Sequence, residues 1–169
     1  MKKIIIKFLI YPIFLFPFKK LIELFLKNPY IFKLQQKINN YNVVGNEFQE
    51  YLKSKDKKIL EVGCSTGNLA RQIIDMDSNS YYGVDISKEY INIATKSSPN
   101  GKFLQMDARK LDFHNEFFDI IMLSSVLHHI DDEVGKNCFK EVHRVLKKDG
   151  VVIIAEPILN SKSLISIIL

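Results

Sequence analysis

Cysteine is scarce: Cys64 and Cys138 are the only two in the 169-residue sequence, with neither CxxC nor metal-ligand spacing. That argues against a disulfide scaffold and a zinc site, and points to free thiols in a reducing compartment, so the cytoplasm is expected. A clean membrane span is also lacking. The apolar run that opens the chain is interrupted by Lys7, Pro12 and Pro17, whereas a span needs about 20 mostly apolar residues. No small-residue cleavage site follows it, so it does not read as a signal peptide. Nor is there a compact basic and aromatic patch. The net charge of +5 is spread over the whole chain, and nucleic acid is not an expected partner.

Apolar material, by contrast, is plentiful. Hydrophobic residues make up 47% of the chain and charged residues 25%, a globular balance for a length that suits one domain. Residues 1–45 read as an apolar, basic helical extension. Within 18–27, Lys19, Lys20, Glu23 and Lys27 share one face, and Leu21, Leu24 and Phe25 lie on the other. Asn28-Pro29 reads as a cap and first helical position, opening a helix with Tyr30, Ile31, Leu34, Ile38 and Tyr41 along one side. Such helices either cover their own domain or, through residues 1–27, lie on the inner membrane surface.

From residue 46 onward, helical and strand patterns alternate. Lys57–Val62, SYYGVD, GKFLQMD, FFDIIMLSS and GVVIIAE read as strands, while SKEYINIATK and the face carrying Val134, Cys138, Val142, Val145 and Leu146 read as helices. Apolar strands separated by helices require crossover connections. The expected class is α/β, a doubly wound, Rossmann-like, mostly parallel sheet, in which ligands sit beyond the carboxyl ends of the strands.

The strand ends carry the chemistry. After the first strand come Glu61, Gly63, Cys64, Ser65, Thr66 and Gly67. Gly63 permits a tight turn, Gly67 close approach of helix and ligand, and the helix N-terminus offers N–H groups to an anionic group. Glu61 is costly to bury without a partner. The second strand ends at Asp85, 22 residues after Gly63, where an acid can accept both hydroxyls of a ribose. The third ends at Asp107-Ala108, a carboxylate for an adenine amino group beside a small residue that leaves room for a ring; the fourth ends at Ser124-Ser125. Both aspartates are also common turn or cap residues. Together the four ends outline a nucleoside slot.

In order and spacing, ILEVGCSTGNLA, YYGVDIS, FLQMDA, FDIIMLSSVLHHI and EVHRVLKKDGVVIIAEP resemble the successive motifs of class I S-adenosylmethionine-dependent methyltransferases over residues 57–157. NPYIFKLQQKI is similar to the helical lead-in of a small-molecule subgroup. The resemblance implies S-adenosylmethionine as cofactor and a small-molecule acceptor. It places Glu61, Gly63 and Gly67 around the methionine portion, Asp85 at the ribose and Asp107-Ala108 at the adenine; Cys64, Ser65, Ile86 and Ser124 complete the expected set. Ser65 stands where many members have glycine.

His128 and His129 follow the fourth strand, and either can act as general base toward a hydroxyl acceptor or simply bond to backbone at a helix start. Some relatives have a metal-binding Glu-x-x-Glu-His here. Ser125-Val126-Leu127-His128-His129 lacks both carboxylates, so no metal is expected. Two rivals remain: a nicotinamide-dependent oxidoreductase, whose G-x-G-x-x-G is not what stands here, and a non-catalytic cofactor-binding module. Family members usually continue past the fifth strand. Only 14 residues follow Ala155, so the expected strand order is 3-2-1-4-5 with the fifth strand an open edge inviting self-association.

Overall fold

The computed structural model describes residues 2–9 and 51–157, apart from 53, 76 and 125. Its elements are β1 (Lys3–Leu9), β2 (Lys58–Val62), α1 (Asn68–Ile73), β3 (Ser80–Asp85), α2 (Lys88–Ser97), β4 (Lys102–Gln105), β5 (Phe118–Ser124), a 3-10 turn (Leu127–His129), α3 (Asp132–Val145) and β6 (Leu146–Pro157). The six strands form one parallel sheet in the order β1-β6-β5-β2-β3-β4. Counted from β2, the last five strands run 3-2-1-4-5, the doubly wound order expected.

Alternating side chains build a core on each face of the sheet. Ile59, Met122 and Ile153 pack with Tyr81, Phe103 and the α2 residues Ile91 and Ala94. Leu60, Val62, Ile121, Leu123 and Ile154 pack with Cys138, Val142 and Val145 of α3. The helices begin where the sequence supplies caps: Ser87 Oγ accepts from Tyr90 N at 3.3 Å, and Asp131 Oδ1 accepts from Val134 N at 2.8 Å. The chain between β4 and β5 is pinned from α3. Arg144 donates to the carbonyls of Leu111 and Phe113 at 2.7 and 2.8 Å, while Glu141 accepts from Leu111 N at 2.7 Å.

The N-terminus departs from expectation. Residues 3–9, read as part of a helical extension, form a strand that pairs in parallel with β6 from Lys3↔Val151 to Leu9↔Pro157. Three successive isoleucines, Ile4 to Ile6, are β-branched and favour extended backbone, and the unpaired edge of β6 offers the hydrogen-bond partners. β6 is therefore not an open edge, and the self-association expected through it would require β1 to leave. The helices read over 18–27 and from Pro29 lie outside the described residues. Among the described residues, no helix is long and apolar enough to cross a membrane.

Candidate functional site

β2 and β5 are neighbours, yet their crossovers run outward in opposite directions, so a crevice opens beyond their ends. The turn after β2 forms one wall. Gly63 and Gly67 have φ of 73° and 70°, the left-handed region that glycine enters without steric cost. A Cβ on Gly63 would lie 2.3 Å from Val126 Cγ2, so the loop after β5 can approach only a glycine; on Gly67 it would meet the Phe103 ring at 3.0 Å. Ser65 is left-handed as well, with φ 49°, which accounts physically for glycine at this position in the family it resembles. Its hydroxyl oxygen is buried and has no hydrogen-bond partner among the described residues.

The turn is bound to the end of β3. Gly63 N and Cys64 N both donate to Val84 O, at 2.8 and 3.0 Å, and Gly67 N donates to Cys64 O at 2.9 Å. Asp85 completes the joint: Oδ2 accepts from Ser65 N and Oδ1 from Ser87 N, each at 2.9 Å. Burial raises the Asp85 carboxyl pKa, against the lowering effect of the backbone donors at Ser87, Ser65 and Ile86. A carboxylate has about four acceptor positions, so each oxygen still has capacity for a hydroxyl. Its neighbour Ile86 is 68% exposed, an apolar side chain left open beside the acid. The N–H groups of Gly63, Cys64, Ser65 and Gly67 are thus spent within the protein, which preforms the turn rather than leaving these groups for an anion.

Beneath the turn lies Glu61, 2% exposed. Tyr81 donates its hydroxyl to Glu61 Oε2 at 2.5 Å, while burial, opposed by this bond and by Arg71, pushes the carboxyl up to about 8. Arg71 of α1 donates to Thr66 O at 3.1 Å and Asn68 Oδ1 at 3.0 Å, tying the underside of the turn to the helix. Burial drives the Cys64 thiol far above its ordinary value, so it stays neutral.

At the end of β4, Asp107 is engaged by its own loop. Arg109 donates through Nη2 at 2.6 Å and through its backbone N at 2.9 Å, and its side-chain hydrogen bonds hold the Asp107 carboxyl below its usual range. Ala108 and Ser124 are half-buried. His129 is exposed on the 3-10 turn, and its backbone N donates to Val126 O at 3.0 Å; His128 shares that turn. Among the described residues no group of three or more His, Cys, Asp or Glu is placed to hold a metal ion. A separate surface cleft of about 480 Å3 is lined by Lys136, Phe139, Lys140 and His143 of α3 and includes none of the turn residues.

The geometry thus brings Glu61, Gly63, Ser65, Gly67, Asp85 and Ile86 together around one joint. Sequence reasoning missed Tyr81, Arg71, Val126 and Arg109. Tyr81 had a signal: Ile59 pairs with it across the β2–β3 ladder, so alternation puts Tyr81 and Glu61 on the same face.

A parallel sheet in this order, with a glycine turn locked to an acid at the end of the adjacent strand, defines a Rossmann-like nucleoside-binding protein. Comparison with known proteins narrows the class. The family described as "Methyltransferase domain" matches residues 59–150, and the chain belongs to it. Demethylmenaquinone methyltransferase of Chlorobaculum tepidum is 33% identical over 105 residues, 62% of this chain and 43% of that relative. The chain therefore spans less than half the length of that relative. Among solved structures, the PH0226 protein of Pyrococcus horikoshii superposes with a TM-score of 0.66 at 28% identity, covering 78% of this chain and 62% of that one. A SAM-dependent methyltransferase of Methanosarcina mazei gives 0.57 at 27%, covering 62% and 53%. The cofactor is S-adenosylmethionine, and the nicotinamide oxidoreductase reading is set aside. The residues present fit the group: left-handed glycines form a cradle, Ser65 offers an orphaned hydroxyl, and the Asp85–Ile86 pair suits a ribose and its base.

Proposed function

We propose that the protein transfers the methyl group of S-adenosylmethionine to a small-molecule acceptor. The observation that carries this reading is Asp85, whose two oxygens hold the glycine turn and the start of α2 while keeping acceptor capacity beside an exposed Ile86. When bound, the cofactor supplies an electrophilic methyl on a sulfonium.

The chain's own residues then bind and orient. Glu61, in its ionised form, accepts the methionine ammonium; Asp85 accepts the ribose hydroxyls. Ile86 supports one face of the adenine, and Asp107 accepts its amino hydrogen beside Ala108. Alignment of donor and acceptor supplies most of the rate enhancement. For a hydroxyl acceptor, His128 or His129 on the turn after β5 takes its proton as general base; a neutral amine needs neither. The demethylmenaquinone methyltransferase similarity makes a quinol-type ring the first acceptor to try.

Calorimetry with S-adenosylmethionine, S-adenosylhomocysteine and NAD, followed by transfer of labelled methyl to a demethylmenaquinol analogue and a panel of small phenols and amines, tests this. Binding of both adenosyl ligands but not NAD, with label transferred, is expected. Binding without transfer to any acceptor would favour the non-catalytic module, and absence of adenosyl binding would overturn the site.

A further inference from the structure

The Tyr81 ring is almost wholly buried and stands 5.5 Å from that of Phe103. Phe103 is confined in turn: a Cβ on Gly67, Gly83 or Gly101 would lie 3.0, 2.8 or 2.7 Å from its ring. Three glycines thus make room for one ring, and that ring helps fix the tyrosine whose hydroxyl reaches Glu61. Among the described residues, the titratable or charged groups facing Glu61 are Tyr81 and Asp85 of β3, Arg71 of α1 and Cys64 of the turn. β5 brings Met122 into register with it.

We propose that Tyr81 is a positioning residue for cofactor binding, whose hydroxyl orients the Glu61 carboxyl beneath the glycine turn and favours its ionised form. The inference rests on the reading that Glu61 accepts the methionine ammonium. The physical basis is a competition. Burial favours the proton-bearing carboxyl, and a hydroxyl that donates to the carboxylate favours the charged form that an ammonium requires. Binding at neutral pH then releases a proton from Glu61, and Tyr81 sets how much of the binding energy that release consumes.

The test titrates the full chain with S-adenosylhomocysteine across neutral pH and follows affinity and proton release. Affinity should rise with pH through about 8 and fall again at higher pH, where the ligand's own amine deprotonates. Glu61→Gln should abolish that acid limb. Tyr81→Phe keeps the ring and should move the limb's midpoint up by about one pH unit, costing about tenfold in affinity at pH 7 and progressively less as pH rises. Glu61→Asp draws the carboxyl back from the hydroxyl and provides a second route: it should shift the limb the same way, and Tyr81→Phe should add little on top of it. An acid limb that survives Glu61→Gln would overturn the reading of Glu61 itself. A limb lost in Glu61→Gln but unmoved in a folded Tyr81→Phe, or unmoved in Glu61→Asp if the tyrosine variant does not fold, would overturn the role of Tyr81 alone.

Discussion

Gly63 faces Val126 so closely that a methyl on its Cα would lie 2.3 Å from Val126 Cγ2. The contact joins the turn after β2 to the loop after β5, the two sides of the crevice. Gly63→Ala therefore carries two penalties, a left-handed backbone and a steric clash. It should lower stability by roughly 2 to 4 kcal/mol in urea unfolding. Val126→Ala in the same background should recover the steric part and leave the backbone part. Full recovery would show that φ at this position costs nothing.

Asp85 has two duties, and substitution should separate them. Asp85→Ala frees the N–H groups of Ser65 and Ser87 and removes the ribose acceptor, so affinity for S-adenosylmethionine should fall by roughly 1.5 to 3 kcal/mol. Asp85→Asn keeps one acceptor oxygen and should hold part of the turn with part of the affinity. Equal affinity in a folded alanine variant would remove Asp85 from the site.

Much of this was legible without coordinates because it depends on local chemistry. Short apolar runs marked the five strands from β2 to β6, and Asp85 and the glycines stood at their ends. What could not be read was a choice made by tertiary structure. Ile4 to Ile6 sit in a run that looks like the start of an apolar helix, and the edge of β6 turns their β-branched preference into a strand. Arg109 was equally invisible: nothing in the sequence says that its guanidinium folds back onto Asp107 rather than extending into solvent.

That contact carries its own prediction. The Arg109–Asp107 pair is solvent-exposed, so breaking it should change stability by no more than about 1 kcal/mol. Arg109→Ala frees the carboxylate for an adenine amino group and should leave S-adenosylmethionine affinity equal or better, whereas Asp107→Ala should weaken it. If both substitutions weaken binding alike, Arg109 itself contacts the ligand.

Glu61 also links stability to pH. Its carboxyl rises from about 4.5 when unfolded to about 8 when folded, so its contribution is fully present below pH 4.5 and is lost as pH climbs through 8. Within that window the loss approaches about 1.4 kcal/mol per pH unit. Glu61→Gln, which cannot ionise, should show a flatter urea stability profile between those limits. Parallel profiles for the two proteins would mean that Glu61 is ionised throughout.

The last prediction concerns the edge strand. β1 closes β6 along Val151–Pro157, so the backbone groups of that edge are taken up and withheld from another chain. Removing residues 1–9 should expose the backbone donors and acceptors of β6, and sedimentation should then show concentration-dependent self-association that the full chain lacks. Val151 is only half-buried on that edge. Val151→Lys in the shortened chain places a charge where a second copy would pair and should restore the monomer. Because the cofactor turns hang on β2, β3, β4 and β5, S-adenosylhomocysteine affinity should change by less than about twofold, since the deletion lies beyond the reach of direct coupling. A shortened chain that stays monomeric would show that the β6 edge is not adhesive. One that loses cofactor affinity as it associates would show that β1 supports the crevice through β6 and β5.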